Sequence, residues 1–134
     1  MKVLLINGSP HEKGCTYTAL SLIAKELNDA GVDTEILHVG GKPVGGCIGC
    51  GSCAAGNGCV FGGVVNEAIE KAKTADGFVF GSPVHYASAS GNMTSFMDRL
   101  AYAGGRYLAY KPAAICCSAR RAGTTTTLDQ LVKY

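Results

Sequence analysis

The chain has 134 residues, room for one domain with a real core but near the lower end for an α/β enzyme. Apolar residues make up 47% and charged residues 16%, a balance that excludes a disordered chain. A formal net charge of +2 with scattered basic residues excludes the face of a nucleic-acid binder, and no segment approaches the roughly 20 apolar residues of a membrane helix.

Lys2–Ile6 is a short apolar run, expected of a strand covered on both faces and too short for a signal peptide. Asn7-Gly8-Ser9-Pro10 breaks it. A helix follows from about Thr16, with Leu20, Ile23, Leu27 and Ala30 on one face and Gly31 as its stop. Thr34–Val39 reads as a second strand, ended by Gly40-Gly41. A loop rich in cysteine and glycine then runs from about Lys42 to Phe61. Val64, Ala68, Ile69, Ala72 and Ala75 form a second helical stripe. Phe78–Phe80 is a third buried strand, cut off by Gly81-Ser82-Pro83. A third helix spans Ser90 to about Ala103, with Met93, Phe96, Met97 and Leu100 inward. Ala113–Cys117 is a fourth, buried strand, followed by a Ser118–Thr127 loop and the start of another helix. This alternation predicts a single α/β domain, a doubly wound parallel sheet with helices on both faces.

Three loops leave the carboxyl ends of strands, where such sheets bind ligands. The first, Asn7 to Thr16, matches neither GxGxxG nor GxxxxGK[ST]. It offers the Ser9, Thr16 and Thr18 hydroxyls and the amides of a helix N-terminus, groups suited to a phosphate. The competing reading makes Ser9 and Thr16 turn and N-cap residues only. The second, Gly81-Ser82-Pro83-Val84-His85-Tyr86, can run its backbone along a flat heterocycle, or be a simple turn. The third carries Arg120 and Arg121, which face either a cofactor, the 2′-phosphate of NADPH, or solvent.

Cys47, Cys50, Cys53 and Cys59 follow the spacing C-x2-C-x2-C-x5-C. Seven cysteines in all, an odd number with four crowded into one loop, argue against a disulfide framework and for a reducing cytoplasm. Three readings of the run stay open: a four-iron cluster, structural zinc, or metal-free thiols. Gly45, Gly46, Gly49, Gly51, Gly56 and Gly58 make the loop flexible enough to wrap a cluster. Cys116 and Cys117, placed in a strand, read as small core hydrophobes.

Asn7-Gly8-Ser9-Pro10 with Gly14-Cys15-Thr16, the Gly81–Tyr86 segment and Met93-Thr94-Ser95-Phe96-Met97-Asp98-Arg99 resemble the flavodoxin-like NADPH-dependent FMN reductases. The Cys47–Cys59 run resembles their iron–sulfur flavoprotein branch. The resemblance covers essentially the whole chain. It implies FMN as cofactor, with Ser9, His11, Cys15, Thr16 and Tyr17 around its phosphate. Pro83, Val84, His85 and Tyr86 would line the isoalloxazine, and Ser118, Arg120, Arg121 and Gly123 would close the far side. It also implies a homodimer or homotetramer, with the helix from Ser90 contributing to the interface.

The chain departs from the family pattern in three places. Cys15 stands where Asn is common, and Gly62-Gly63 where an acidic pair is common. The family sheet has strand order 2-1-3-4-5, yet only four strands are found, which leaves an open edge on the fourth.

The resemblance implies an FMN-dependent oxidoreductase. Electrons would come from NAD(P)H or a reduced carrier such as a ferredoxin and pass to a quinone, free flavin or other small acceptor. Flavin chemistry needs no catalytic acid or base from the protein. A second reading is a non-enzymatic electron carrier or redox sensor switched by the cysteine loop. A third is a zinc-stabilised binding module without flavin.

Overall fold

A computed structural model describes residues 1–134. The elements run in the order β1 (Lys2–Asn7), α1 (Cys15–Asp29), β2 (Asp33–His38), α2 (Val64–Ala72), β3 (Gly77–His85), β4 (Ser88–Ala89), α3 (Gly91–Leu108), β5 (Ala113–Ser118) and α4 (Thr124–Leu131). The cysteine loop contains one short 3-10 turn, Ser52–Ala55.

Strand β1 explains the sheet. Both of its faces are apolar, so it occupies the centre. It pairs in parallel with β2 on one side, Leu5 opposite Ile36, and with β3 on the other, Leu5 opposite Val79. Strand β5 adds to the far side of β3, with Phe80 opposite Ile115. The parallel order β2-β1-β3-β5 fills the first four places of the expected flavodoxin-like sheet. No further strand covers β5.

The alternation along β1 sets the layers. Leu4 and Ile6 face the larger core, closed by Val65 and Ile69 of α2, Met93, Phe96, Met97 and Leu100 of α3, and Leu131 of α4. Val3 and Leu5 face the other way, against Leu20 and Ala24 of α1. One helix on one face and three on the other make the doubly wound sandwich. Helix α1 ends at Gly31, whose φ of +80° suits a residue without Cβ.

Three details differ from the sequence reading. Strand β3 does not end at Gly81-Ser82-Pro83: it continues to His85 and folds back on β4 in an antiparallel hairpin. Pairing with β1 stops at Gly81, so Pro83 sits where the ladder on that side is over and its missing N–H costs little. Helix α3 runs to Leu108, one turn past its predicted end. Strand β5 is not buried: Ala113 and Ala114 are exposed and Ile115 to Ser118 half-buried, because its outer edge has no neighbour.

Candidate functional site

The carboxyl ends of β1, β3 and β5 meet at one edge, and the loops that leave them are stitched together. Strand β1 delivers Asn7, fully buried, whose Oδ1 accepts from the Ser9 amide at 3.1 Å and whose Nδ2 donates to the Glu12 carbonyl at 3.0 Å. The buried Ser9 hydroxyl in turn accepts from the His11 amide at 3.1 Å. From β2, His38 Nε2 donates to the Ser9 carbonyl at 2.7 Å, which fixes the imidazole tautomer. Gly40 packs so closely that an added Cβ would lie 2.2 Å from that same carbonyl oxygen.

This loop feeds α1, whose N-cap is Gly14, with no side-chain cap. The competing reading of Thr16 as the N-cap is therefore not met, whereas Ser9 does serve the turn. The amides of Cys15, Thr16 and Tyr17 make no hydrogen bond to protein, and Thr18 is the first whose amide bonds back, to Gly14. Three free amides at the positive end of a 15-residue helix form an anion seat. Thr16 is only 2% exposed, and its hydroxyl is engaged with Ser118 at 2.8 Å. Its side chain thus ties α1 to the end of β5, and its amide is free. His11 and Cys15 are exposed, and Tyr17 is half-buried.

The second loop is joined to the first by Gly8 N–H to the Gly81 carbonyl at 2.8 Å. The Ser90 hydroxyl also donates to the Gly8 carbonyl at 2.7 Å, and the Ser82 hydroxyl accepts from the Ser90 amide. Pro83 and Val84 are half-buried, while His85 and Tyr86 stand exposed at the hairpin tip. Tyr86 has φ +60°, a left-handed conformation seldom taken by an aromatic residue. The third loop returns to this tip: Gly123 has φ +91°, and a Cβ there would lie 2.5 Å from the Tyr86 carbonyl oxygen. Arg120 and Arg121 are exposed. The predicted flavin-contacting residues therefore share one edge. The free amides, the close glycine approaches and an exposed aromatic ring beside them fit FMN.

The cysteine loop forms a second locus. Cys47, Cys50, Cys53 and Cys59 line one cavity of about 570 Å³, together with Phe61, Asp98, Arg99 and Tyr102. All are free thiols. In this structure no three metal-ligating side chains gather at a point. A four-iron cluster takes each thiolate on its own iron, so its ligands ring a volume instead of meeting. The donor set and its placement around one cavity fit such a cluster. Hydrogen bonding from Ser52 draws the exposed Cys50 thiol below its ordinary range, the thiolate direction that a metal ligand needs. Cys116 and Cys117 shift the other way: burial pushes both thiols up, with the neighbouring Cys117 adding to the effect on Cys116. Neither is the core residue expected from the sequence: both are half-buried, with Cys116 packed at the margin of the smaller core, because β5 lies at the open edge of the sheet.

Several residues outside the predicted set hold these loci in place. Asn92, in the first turn of α3, accepts from the Val44 amide and donates to the Gly40 and Lys42 carbonyls. Asn66 of α2 brackets Cys59, accepting from its amide and donating to its carbonyl. Arg99 donates to the Cys59 sulfur and to the Gly45 and Gly62 carbonyls, and Arg106 to the Gly56 carbonyl. One signal was available for Arg99. It lies three residues after Phe96 and four before Ala103, on the inward stripe of a helix, where an arginine is out of place.

The chain is 34% identical over 99 residues to an iron-sulfur flavoprotein of Methanocaldococcus jannaschii, covering 74% of this chain and 51% of the relative. An iron-sulfur flavoprotein of Archaeoglobus fulgidus is 33% identical over 106 residues, covering 79% and 48%. The chain thus spans about half the length of these relatives. Among solved structures, the flavoenzyme NAD(P)H:(acceptor) oxidoreductase FerB of Paracoccus denitrificans superposes with TM-score 0.69 at 17% identity, over 97% of this chain and 68% of that one. NAD(P)H:quinone oxidoreductase of Methanothermobacter marburgensis gives 0.67 at 17% identity, over 91% and 68%. At such identities the structures speak for the fold. The NADPH-dependent FMN reductase family matches residues 1–134, and the chain belongs to that family.

Proposed function

We propose that this chain is the FMN-binding core of an NAD(P)H-dependent oxidoreductase that delivers electrons to a quinone, flavin or other small acceptor. The observation that carries the reading is the uncapped N-terminus of α1 at the carboxyl end of β1, a phosphate seat in a family of FMN reductases. The Cys15, Thr16 and Tyr17 amides would hold the phosphate, and Ser9 and His38 keep the loop in shape for it. Pro83 to Tyr86 would lie along the ring, with Tyr86 free to cover a face. Ser118 and Gly123 hold the far wall against α1 and the hairpin, and the exposed Arg120 and Arg121 are free to meet the phosphates of a nicotinamide cofactor. When bound, FMN supplies a centre that exchanges electrons in pairs or singly. The protein's part is binding and orientation, with no side chain required as acid or base.

The cysteine run would hold a four-iron cluster through Cys47, Cys50, Cys53 and Cys59. The cavity that all four line and the curated relatives named iron-sulfur flavoproteins support this. A cluster there favours a ferredoxin-type donor beside NAD(P)H. Assembly as a homodimer or homotetramer, in the cytoplasm, completes the proposal.

The test is an anaerobic visible spectrum of protein incubated with FMN, with iron, zinc and acid-labile sulfide assayed on the same sample. Flavin bands with about four irons per chain are the expected result. Flavin without metal would leave an FMN reductase with a thiol loop. No flavin uptake would overturn the central reading. NADPH oxidation that follows added quinone separates the enzyme from a passive carrier or sensor.

A further inference from the structure

The charge on Arg99 is unexplained by the fold. The residue is 6% exposed, and a buried guanidinium is costly unless something negative faces it. No carboxylate pairs with it. The neighbouring Asp98, on the same cavity wall, accepts from the Tyr134 hydroxyl at 2.6 Å instead. Arg99 spends its donors on the cysteine loop: Nε to Cys59 Sγ at 3.2 Å, one terminal nitrogen to the Gly45 carbonyl at 3.4 Å, the other to the Gly62 carbonyl at 3.0 Å. Its Cζ also lies 5.4 Å from the centre of the Phe61 ring, a cation–π contact. Gly45 precedes the first cysteine of the run and Gly62 follows the last. One side chain therefore clasps both ends of the loop and touches a ligating sulfur between them.

We propose that Arg99 is the positioning residue of the cysteine site: it closes the loop into a ring and supplies the buried positive charge that an anionic thiolate-bound group requires. The inference rests on reading the run as a cluster site only for its second half. The clasp holds for the protein without metal. The position on α3 adds a connection. Ser90 of the preceding turn bonds the flavin-side Gly8 carbonyl, and Arg99 lies nine residues further, about 13 Å along the helix axis. One rigid helix thus fixes the cysteine site relative to the flavin edge. A donor to sulfur and a nearby cation both favour the more negative, reduced form of a cluster, so their loss makes reduction harder.

The experiment compares wild type, Arg99→Gln and Arg99→Lys in two arms. In the first, hydrogen exchange is followed on metal-free protein. The Val44, Cys59 and Gly62 amides, all hydrogen-bonded here, are expected to exchange about tenfold faster in both variants, since lysine keeps the charge but not the three-way fork. In the second, protein reconstituted anaerobically with ferrous iron and sulfide is challenged with a chelator and titrated potentiometrically. Arg99→Gln is expected to lose iron about ten- to a hundredfold faster and to shift the potential to more negative values. Arg99→Lys is expected to recover most of the potential but not the retention. Unchanged exchange and unchanged iron loss in Arg99→Gln would overturn the proposal. Wild type that takes up no iron would overturn the cluster reading and the charge role with it, leaving the exchange arm to decide the clasp. Should the glutamine variant not fold, the lysine variant, which keeps the charge, decides each arm.

Discussion

Two residues show how local geometry separates folding from function. Gly40 touches the phosphate loop through backbone alone: a Cβ would fall 2.2 Å from the Ser9 carbonyl oxygen and 2.7 Å from that of Gly8. Backbone cannot swing aside like a side chain, so Gly40→Ala must displace the loop. The expected cost is about 1–3 kcal/mol in chemical unfolding, together with weaker FMN binding in a fluorescence titration. Tyr86 is the opposite case. It is 103% exposed and holds φ +60°, so it contributes no packing and carries backbone strain. Glycine there relieves the strain but adds freedom to the unfolded chain, two effects of about 1 kcal/mol that oppose each other. Tyr86→Gly is expected to leave the melting temperature nearly unchanged and to weaken FMN binding. A large loss of stability would show that the ring serves the fold.

At the scale of elements, the ligand edge is built on the carboxyl ends of β1, β3 and β5 and the first turn of α1, and contacts elsewhere hold those elements together. Glu35 on β2 is an example at the opposite side of the molecule, joining Lys2 of β1 and Lys71 of α2 at 2.7 and 2.5 Å. Hydrogen bonds from Lys2 and then Lys71 hold its carboxyl below its ordinary value of 4.5, against the smaller effect of burial. The same contact holds Lys71 above its ordinary value. For a carboxyl lowered on folding, the stabilisation is complete above its unfolded value and lost as pH falls through the folded one. Glu35→Gln is therefore expected to cost about 1 kcal/mol at neutral pH, a figure limited by solvent around all three side chains. The difference from wild type should begin to shrink as pH falls below 4.5 and vanish once the lowered folded value is passed, as measured by urea unfolding across the acid range. A difference that persisted unchanged at the acid end would show that the ion pairs are not its source.

At the scale of the whole molecule, the sheet ends on an unpaired strand. β5 pairs with β3 alone, and beside it lies an apolar hollow of about 630 Å³, lined by Phe78, Phe80, Leu108, Ile115 and Leu131 among others. An exposed apolar edge templates pairing with another chain. This chain is expected to associate in a concentration-dependent way, and Ala114→Lys, a charge on that edge, to reduce it in light scattering. Equal association of both proteins would place the contact elsewhere. The strand–helix alternation, the two-faced helix packing and the three loops at the strand ends were legible in the sequence, because apolar periodicity and glycine-rich breaks are local signals. The strand order came only from the family resemblance. The continuation of β3 through Pro83 was not, since only the end of the β1 ladder makes a proline harmless there. Nor was the Thr16–Ser118 tie, which joins residues 102 apart in the chain. The sequence by itself determined the fold class, the cysteine spacing and which loops stand at the ligand edge. Tertiary structure alone decided that the Thr16 hydroxyl meets Ser118 while the first amides of α1 stay free. It also decided that Arg99 clasps the cysteine loop, because hydrogen-bond partners and burial depend on neighbours that chain order does not reveal.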